Sequence, residues 1–204
     1  MSDYQFKDQM EKFSYSLGLT ISNNLVQSGV KNIDALQFLA GLQDTFAGNI
    51  PRISMDEADQ ILQEYMLKNN EEEEATRNLE EGLIFLADNI RNEGVIETES
   101  GLQYKILKKG YGDLPTIDDH VKCHYHGTLL NGTVFDSSVE RHEPAIFPVS
   151  GVIQGWIEAL QKMPVGAKWR LFVPSDLAYG DEGAGGMIGP NATLIFDVEL
   201  LEIV

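Results

Sequence analysis

The sequence predicts an α+β protein: an all-helical N-terminal half, then an antiparallel, strongly curved β-sheet wrapped around one short α-helix. Three observations carry this expectation. Apolar residues recur every three or four positions as far as about Asn92, and after Gly94 they alternate in short runs. Within the alternating half one passage, Gly151-Val-Ile-Gln-Gly-Trp156-Ile-Glu-Ala-Leu160, returns to helical spacing. The indole of Trp156 needs a surface to bury against, and the flanking alternating runs supply a sheet. A plain core tryptophan between helix and sheet is the simplest reading of it; the floor of a pocket is the sharper one.

The first helix spans about Tyr4 to Gln27, with Phe6, Met10, Phe13, Leu17, Ile21 and Leu25 on helical spacing and Gly29 as the stop. The second spans about Asp34 to Phe46, with Gly48 behind it. Ser54-Met-Asp-Glu57 matches a capping box. From Met55 to about Asn92 there is no proline and one glycine, Gly82, so the preferred reading is a single long helix; the competing one breaks it near Asn69-Asn70. The block Glu71 to Glu74 leaves the middle of that helix exposed, as a spacer. Phe6, Met10, Phe13 and Leu17 exceed what two short helices bury internally. A homodimer through these helices is the preferred reading, and closure of a monomeric three-helix domain the alternative. The expected division is a helical dimerisation domain over 1–68, a continuation of the connecting helix over 69–94, and the sheet domain over 95–204.

Charge excludes one class of function. Residues 1–99 hold 7 Lys/Arg against 19 Asp/Glu, and residues 100–204 hold 8 against 13. No basic stripe exists to neutralise phosphates, so nucleic acid is excluded as a partner and the acidic excess reads as a solvated surface. No apolar run is long enough for a helical membrane span, and Met1-Ser-Asp-Tyr-Gln-Phe-Lys-Asp has no leader pattern. With the lone Cys123, these features point to a cytoplasmic protein without a membrane partner.

In the second half Leu102, Tyr104 and Ile106 mark a strand. In the next strand Val121, Cys123 and Tyr125 share one face, Lys122, His124 and His126 the other. His124-x-His126 lacks a third ligand, so solvated histidines are preferred to a metal site. Asn131-Gly132 signals a hairpin, and a helix is expected over Val152 to Leu160. Trp169, Leu171 and Val173 alternate up to Pro174, and Ala192 to Leu201 is the last long strand. The glycines between Asp181 and Pro190 are too irregular for a nucleotide fingerprint, and the acidic runs lack the pattern of a calcium loop.

Tyr125-His-Gly-Thr-Leu-Leu-Asn-Gly-Thr-Val-Phe135-Asp136-Ser-Ser, Gly151-Val-Ile-Gln-Gly-Trp156, Met163-Pro-Val-Gly, Pro174-Ser-Asp-Leu-Ala178-Tyr179-Gly and Ala192-Thr-Leu-Ile-Phe196-Asp-Val-Glu-Leu follow one another in order. These segments make residues 95–204 resemble the FKBP-type peptidyl-prolyl cis-trans isomerases. With its helical N-terminal segment the whole chain resembles the bacterial Mip-like branch, within it the cytoplasmic 22 kDa type. The resemblance implies a V-shaped homodimer with isomerase and chaperone activity on proline-containing peptides and unfolded chains, open to macrolide inhibitors and needing neither cofactor nor metal. It implies a catalytic set of Tyr125, Asp136, Ile153, Trp156, Tyr179 and Phe196, with Trp156 as the floor and the Ile153 amide and Tyr179 hydroxyl bonding the ligand. Phe135, Arg141, Phe147, Val152, Ala178, Met187 and Ile188 are implied as the surrounding substrate contacts, Arg141 pairing with Asp136. Ala145 stands where the family commonly has an aromatic residue and Ala184 where many members carry histidine, which implies a wider pocket entrance.

The expected chemistry needs no nucleophile. Resonance holds the X-Pro bond planar behind a barrier of about 18–20 kcal/mol. Twisting the bond lowers the carbonyl dipole, so an apolar pocket disfavours the planar state more than the twisted one. Asp136 fits an electrostatic organiser better than a proton-transfer group. The alternative function is a proline-binding module or chaperone whose pocket is catalytically idle.

Overall fold

The computed structural model describes residues 4–204; the first three residues of the N-terminal segment lie outside it. It divides into two compact units at Asn70/Glu71.

The first unit is helical. Helix α1 spans Gln9–Gln27. It starts later than the apolar spacing predicts, because Asp8 caps it: the Asp8 carboxylate accepts from the Glu11 N–H at 2.8 Å, so the chain before it is not helical. Helix α2 spans Ala35–Ala47, capped by Asp34 and closed by Gly48 in the left-handed conformation (φ 69°). Neither helix has a buried residue within the chain.

Helix α3 runs unbroken over Met55–Asn89, through Asn69-Asn70, and Ser54 Oγ accepts from the Glu57 N–H at 3.2 Å as the capping box predicts. Its C-terminal half belongs to the second unit. Phe85 packs on Phe172 with ring centroids 5.8 Å apart, and buried Asn89 donates to Gln103 Oε1 at 2.9 Å. Gln103 Nε2 in turn donates to the Leu86 carbonyl and to Glu97 Oε1, so the buried amides satisfy one another. This half of the helix is therefore bound to the sheet rather than acting as a free spacer.

The sheet has seven strands: β1 (Val95–Glu97), β2 (Gln103–Lys108), β3 (His120–Leu129), β4 (Val134–Ser137), β5 (Ala145–Pro148), β6 (Lys168–Val173) and β7 (Leu194–Ile203). The order is β1-β2-β6-β7-β3-β4, with β5 also on β3, and every pair is antiparallel. The sequence predicts about five strands; β1 and β5 are too short to show an alternation of their own. Helix α4 spans Gln154–Leu160 and buries Gly155, Trp156, Ala159 and Leu160. It meets Trp169, Leu171 and Val173 of β6 and Phe196, Val198 and Leu200 of β7 in one core, whereas Phe172 turns to the opposite face and Phe85. Val152 and Ile153, predicted helical, are extended and lead into α4 from a 3-10 turn over Val149–Gly151. Cys123 is fully buried, and burial pushes its thiol up to about 12.

Gly82 lets α3 approach the sheet. A Cβ there would collide with Thr193 Oγ1 and lie 3.3 Å from Thr193 Cβ, and Thr193 is itself buried. Alanine normally gains about 1 kcal/mol over glycine inside a helix. Here overpacking at a cost of about 1–3 kcal/mol reverses that gain. Gly82→Ala is expected to lower the midpoint of thermal unfolding; a raised midpoint would show that the helix is free to lift off.

Candidate active site

The site assembles where β3, β4, β7 and α4 converge. The β3–β4 hairpin closes at Asn131-Gly132, with Gly132 at φ 85° and the Asn131 side chain accepting from the Thr133 N–H at 2.9 Å. Its register sets Gly127 beside Asp136 on one flank and Phe196 on the other. A Cβ at Gly127 would stand 2.7 Å from Phe135 ring atoms and 3.0 Å from Phe196, so only glycine lets those rings meet edge to face at 5.4 Å.

Trp156 forms the floor. Tyr125, Phe147 and Phe196 pack on its ring with centroids 5.4, 5.5 and 5.2 Å away at steep angles. Gly155 brings α4 close enough for this, since a Cβ there would lie 2.6 Å from Val173 Cγ1. The indole Nε1 is buried without a hydrogen-bond partner among the described residues. Above the floor opens a cavity of about 570 Å³, an ordinary size for a small-ligand site.

Of the residues named from the sequence, the cavity wall takes in all six of the first set: Tyr125, Asp136, Ile153, Trp156, Tyr179 and Phe196. Phe135, Phe147, Val152, Met187 and Ile188 join them. Two stand off the wall. Arg141 lies behind Asp136, and Ala178 packs against the core after the turn Ser175–Leu177. Ala184 is on the wall with Gly185, whereas Ala145 sits in β5 opposite Cys123 and takes no part.

At the rim the polar groups form a closed triangle. The Tyr125 hydroxyl donates to Asp136 Oδ2 at 2.5 Å, Arg141 Nη1 donates to Asp136 Oδ1, and Arg141 Nη2 donates to the Tyr125 hydroxyl at 2.9 Å. The guanidinium carbon also lies 5.7 Å from the Tyr125 ring centre, within cation–π range. Burial pushes the Asp136 carboxyl up, but the hydrogen bonds from Tyr125 and Arg141 and the charge of Arg141 outweigh it, and its pKa ends below the ordinary carboxylate value. Burial and the bond to Asp136 raise the Tyr125 phenol, so it remains a donor at neutral pH.

Ser138, which closes the Phe135-Asp136-Ser-Ser motif and has no role of its own in the sequence reading, supports the site from behind. Fully buried, it accepts from the Tyr125 N–H at 2.7 Å and donates to the Tyr125 carbonyl at 3.2 Å, fixing that backbone. Its place directly after Phe-Asp-Ser was the available signal. His124 and His126 bond Ser138 and Ser137 through Nδ1 at 3.1 and 3.0 Å, and among the described residues no His/Cys/Asp/Glu cluster is arranged to hold a metal ion.

An apolar aromatic pocket on an antiparallel sheet, with a rim carboxylate already bonded to Tyr125 and Arg141, suits a reaction in which a bond turns without being broken. The family profile for the FKBP-type peptidyl-prolyl cis-trans isomerase matches residues 112–201, and the domain amino-terminal to FKBP-type isomerases matches residues 10–106. This chain belongs to the FKBP-type peptidyl-prolyl cis-trans isomerases, related to the bacterial FkpA and Mip proteins, and it isomerises X-Pro bonds in proline-containing chains. It is 46% identical over 196 residues to the FKBP-type 22 kDa peptidyl-prolyl cis-trans isomerase of Escherichia coli (strain K12), covering 93% of each chain. It is 42% identical over 200 residues to the outer membrane protein MIP of Legionella longbeachae, covering 95% of this chain and 85% of that one. The crystal structure of FkpA from Escherichia coli superposes with a TM-score of 0.66 at 35% identity, covering 98% of both chains.

These relatives overturn the cytoplasmic expectation. A homologue matched over nearly this whole chain is named as an outer membrane protein. A lone cysteine suits either compartment and so carries no weight on the question. Among the described residues no helix is long and apolar enough to cross a membrane.

Proposed function

We propose that the Trp156 pocket is where this isomerase acts, with Tyr125, Asp136, Ile153, Trp156, Tyr179 and Phe196 as the catalytic set. The observation that carries the reading is the Tyr125–Asp136–Arg141 triangle on the rim of an otherwise apolar cavity. Simple capture of proline needs only the apolar walls. A carboxylate held ionised and oriented at their edge supplies a fixed field for a carbonyl that turns, at no cost of reorganisation during the step. Proline enters against Trp156, Phe135 and Phe196, and the planar amide loses its hydration there. The twisted amide, with its smaller carbonyl dipole, loses less. Arg141 serves Asp136 from behind, and macrolide inhibitors compete for the same walls.

In the same reading the chain is of the 22 kDa type and pairs with a second copy through α1 and α2, whose residues are all unburied within one chain although Met10, Phe13, Leu36 and Phe46 are large and apolar. The isomerase domain, a curved sheet around α4, is served by a helical dimerisation domain. Two pockets tethered in one dimer raise the local concentration of site around a captured chain, and this gives the protein its chaperone action.

A protease-coupled assay on an Ala-Leu-Pro-Phe peptide and refolding of a proline-limited protein test this together. Met10→Glu/Phe13→Glu is expected to sediment as a monomer, to keep peptide turnover per site, and to lose about tenfold or more on the refolding substrate. Equal losses on both substrates would remove the tethering, and a parent protein already monomeric at micromolar concentration would remove the dimer.

A further inference from the structure

One wall of the pocket is a loop rather than a strand, and it is fastened from outside the sheet. Between Gly183 and Asn191 the chain carries Ala184, Met187 and Ile188 to the cavity. Gly183, Gly185 and Gly186 all have positive φ (66°, 60° and 69°), and the loop's own pairing is limited to the two backbone hydrogen bonds between Ala184 and Ile188, at 2.8 and 3.0 Å. Holding so much glycine in one conformation is costly in chain entropy, so an external restraint is required for a defined wall.

Helix α3 provides it. Asn78 Nδ2 donates to the Pro190 carbonyl at 2.8 Å, and in the reverse direction Asn191 Nδ2 donates to the Ala75 carbonyl at 3.4 Å. Asn191 is itself in the left-handed region (φ 56°), and its N–H donates to the Gly180 carbonyl at 2.7 Å, tying the far end of the loop to the turn that carries Tyr179. Gly189 faces the same turn of the helix: a Cβ there would run into Glu74 Oε1 and lie 3.0 Å from Asn78 Nδ2. Neither asparagine is on the cavity wall.

We propose that Asn78 and Asn191 are positioning residues of the isomerase pocket. Through two reciprocal side-chain-to-carbonyl hydrogen bonds they let α3 set the loop that carries Ala184, Met187 and Ile188, and so the grip of the pocket on its substrate. This rests on the reading of the Trp156 cavity as the isomerase site. The effect belongs in KM rather than kcat, because the proline and its turning amide rest on Trp156, Phe135 and Phe196, and the loop adds only grip beside them.

The test uses the full-length chain with Asn78→Ala, with Asn191→Gly, which keeps a residue at ease at positive φ, and with Glu80→Ala on the same helix as a control. Both asparagine variants are expected to raise KM for the prolyl peptide about three- to tenfold, the equivalent of one neutral hydrogen bond, with kcat near the parent value. Amide hydrogen exchange over residues 183–190, read by mass spectrometry, is expected to quicken in both and to stay unchanged in Glu80→Ala. A parental KM in both variants overturns the proposal whatever the exchange shows, and so does a loss confined to kcat. Asp136→Ala in the same assay separates the two levels. If it is impaired while the asparagine variants are not, only the clamp fails; if it too turns over at the parent rate, the pocket reading fails and the clamp with it.

Discussion

Asp136→Ala is expected to lower kcat/KM on short prolyl peptides by about 10- to 100-fold while the protein stays folded. What is lost is one oriented charge beside the turning carbonyl, and the half-exposed rim screens part of its effect. Folding survives because the carboxylate is at a half-exposed rim: water can solvate Arg141, and Arg141 can still donate to Tyr125. The pH profile follows from the same contacts. The folded pKa of Asp136 is depressed, so whatever stability its ionised form adds is present above about 3.8 and is lost as pH falls through the lower, folded value. The parent rate is therefore expected to be flat from neutral pH down to about 4 and to fall only below it, provided the fold persists. An alanine variant as fast as the parent would remove Asp136 from the site.

Trp156→Ala is expected to cost about 3–5 kcal/mol of stability in urea denaturation and to reduce turnover to near the uncatalysed rate. Three aromatic edges, from Tyr125, Phe147 and Phe196, rest on this ring, and α4 is held close by Gly155. Truncation leaves a gap those rings cannot all fill, because Phe196 is held in β7 between β3 and β6 and the Tyr125 backbone is locked by Ser138. A loss under 1 kcal/mol would show that the rings collapse into the space. Retained turnover would show that the floor can be made of any apolar surface.

The elements that carry the pocket are legible in the sequence because their residues occupy strand positions and turns with strong local rules. Tyr125 alternates with Val121 and Cys123, Asn131-Gly132 sets the hairpin, and helical spacing resumes at Trp156. The grouping of these residues into one pocket came from the resemblance rather than from those rules, and the cavity wall takes in the residues it implies except Arg141 and Ala178. Local rules failed where a contact spans the chain. The Asn78–Pro190 and Asn191–Ala75 bonds join residues 112 and 116 positions apart, and asparagine on a helix face leaves no periodic trace. The same blindness hid the docking of Phe85 and Asn89, so the glutamate block looked like the middle of a spacer, although Glu74 stands against Gly189. The start of α1 was missed for the opposite reason. Tyr4 and Phe6 continue the apolar rhythm, and only the cap at Asp8 ends it.

The burial of Cys123 withdraws its thiol from disulfide exchange while the chain is folded. With the thiol sealed between β5 and β7 and its pKa pushed up to about 12, almost no thiolate exists at neutral pH, and thiolate is the species that oxidants and disulfides attack. No second cysteine is present to close a bridge within the chain. Disulfide cross-linking between copies is therefore open only to molecules that have first unfolded.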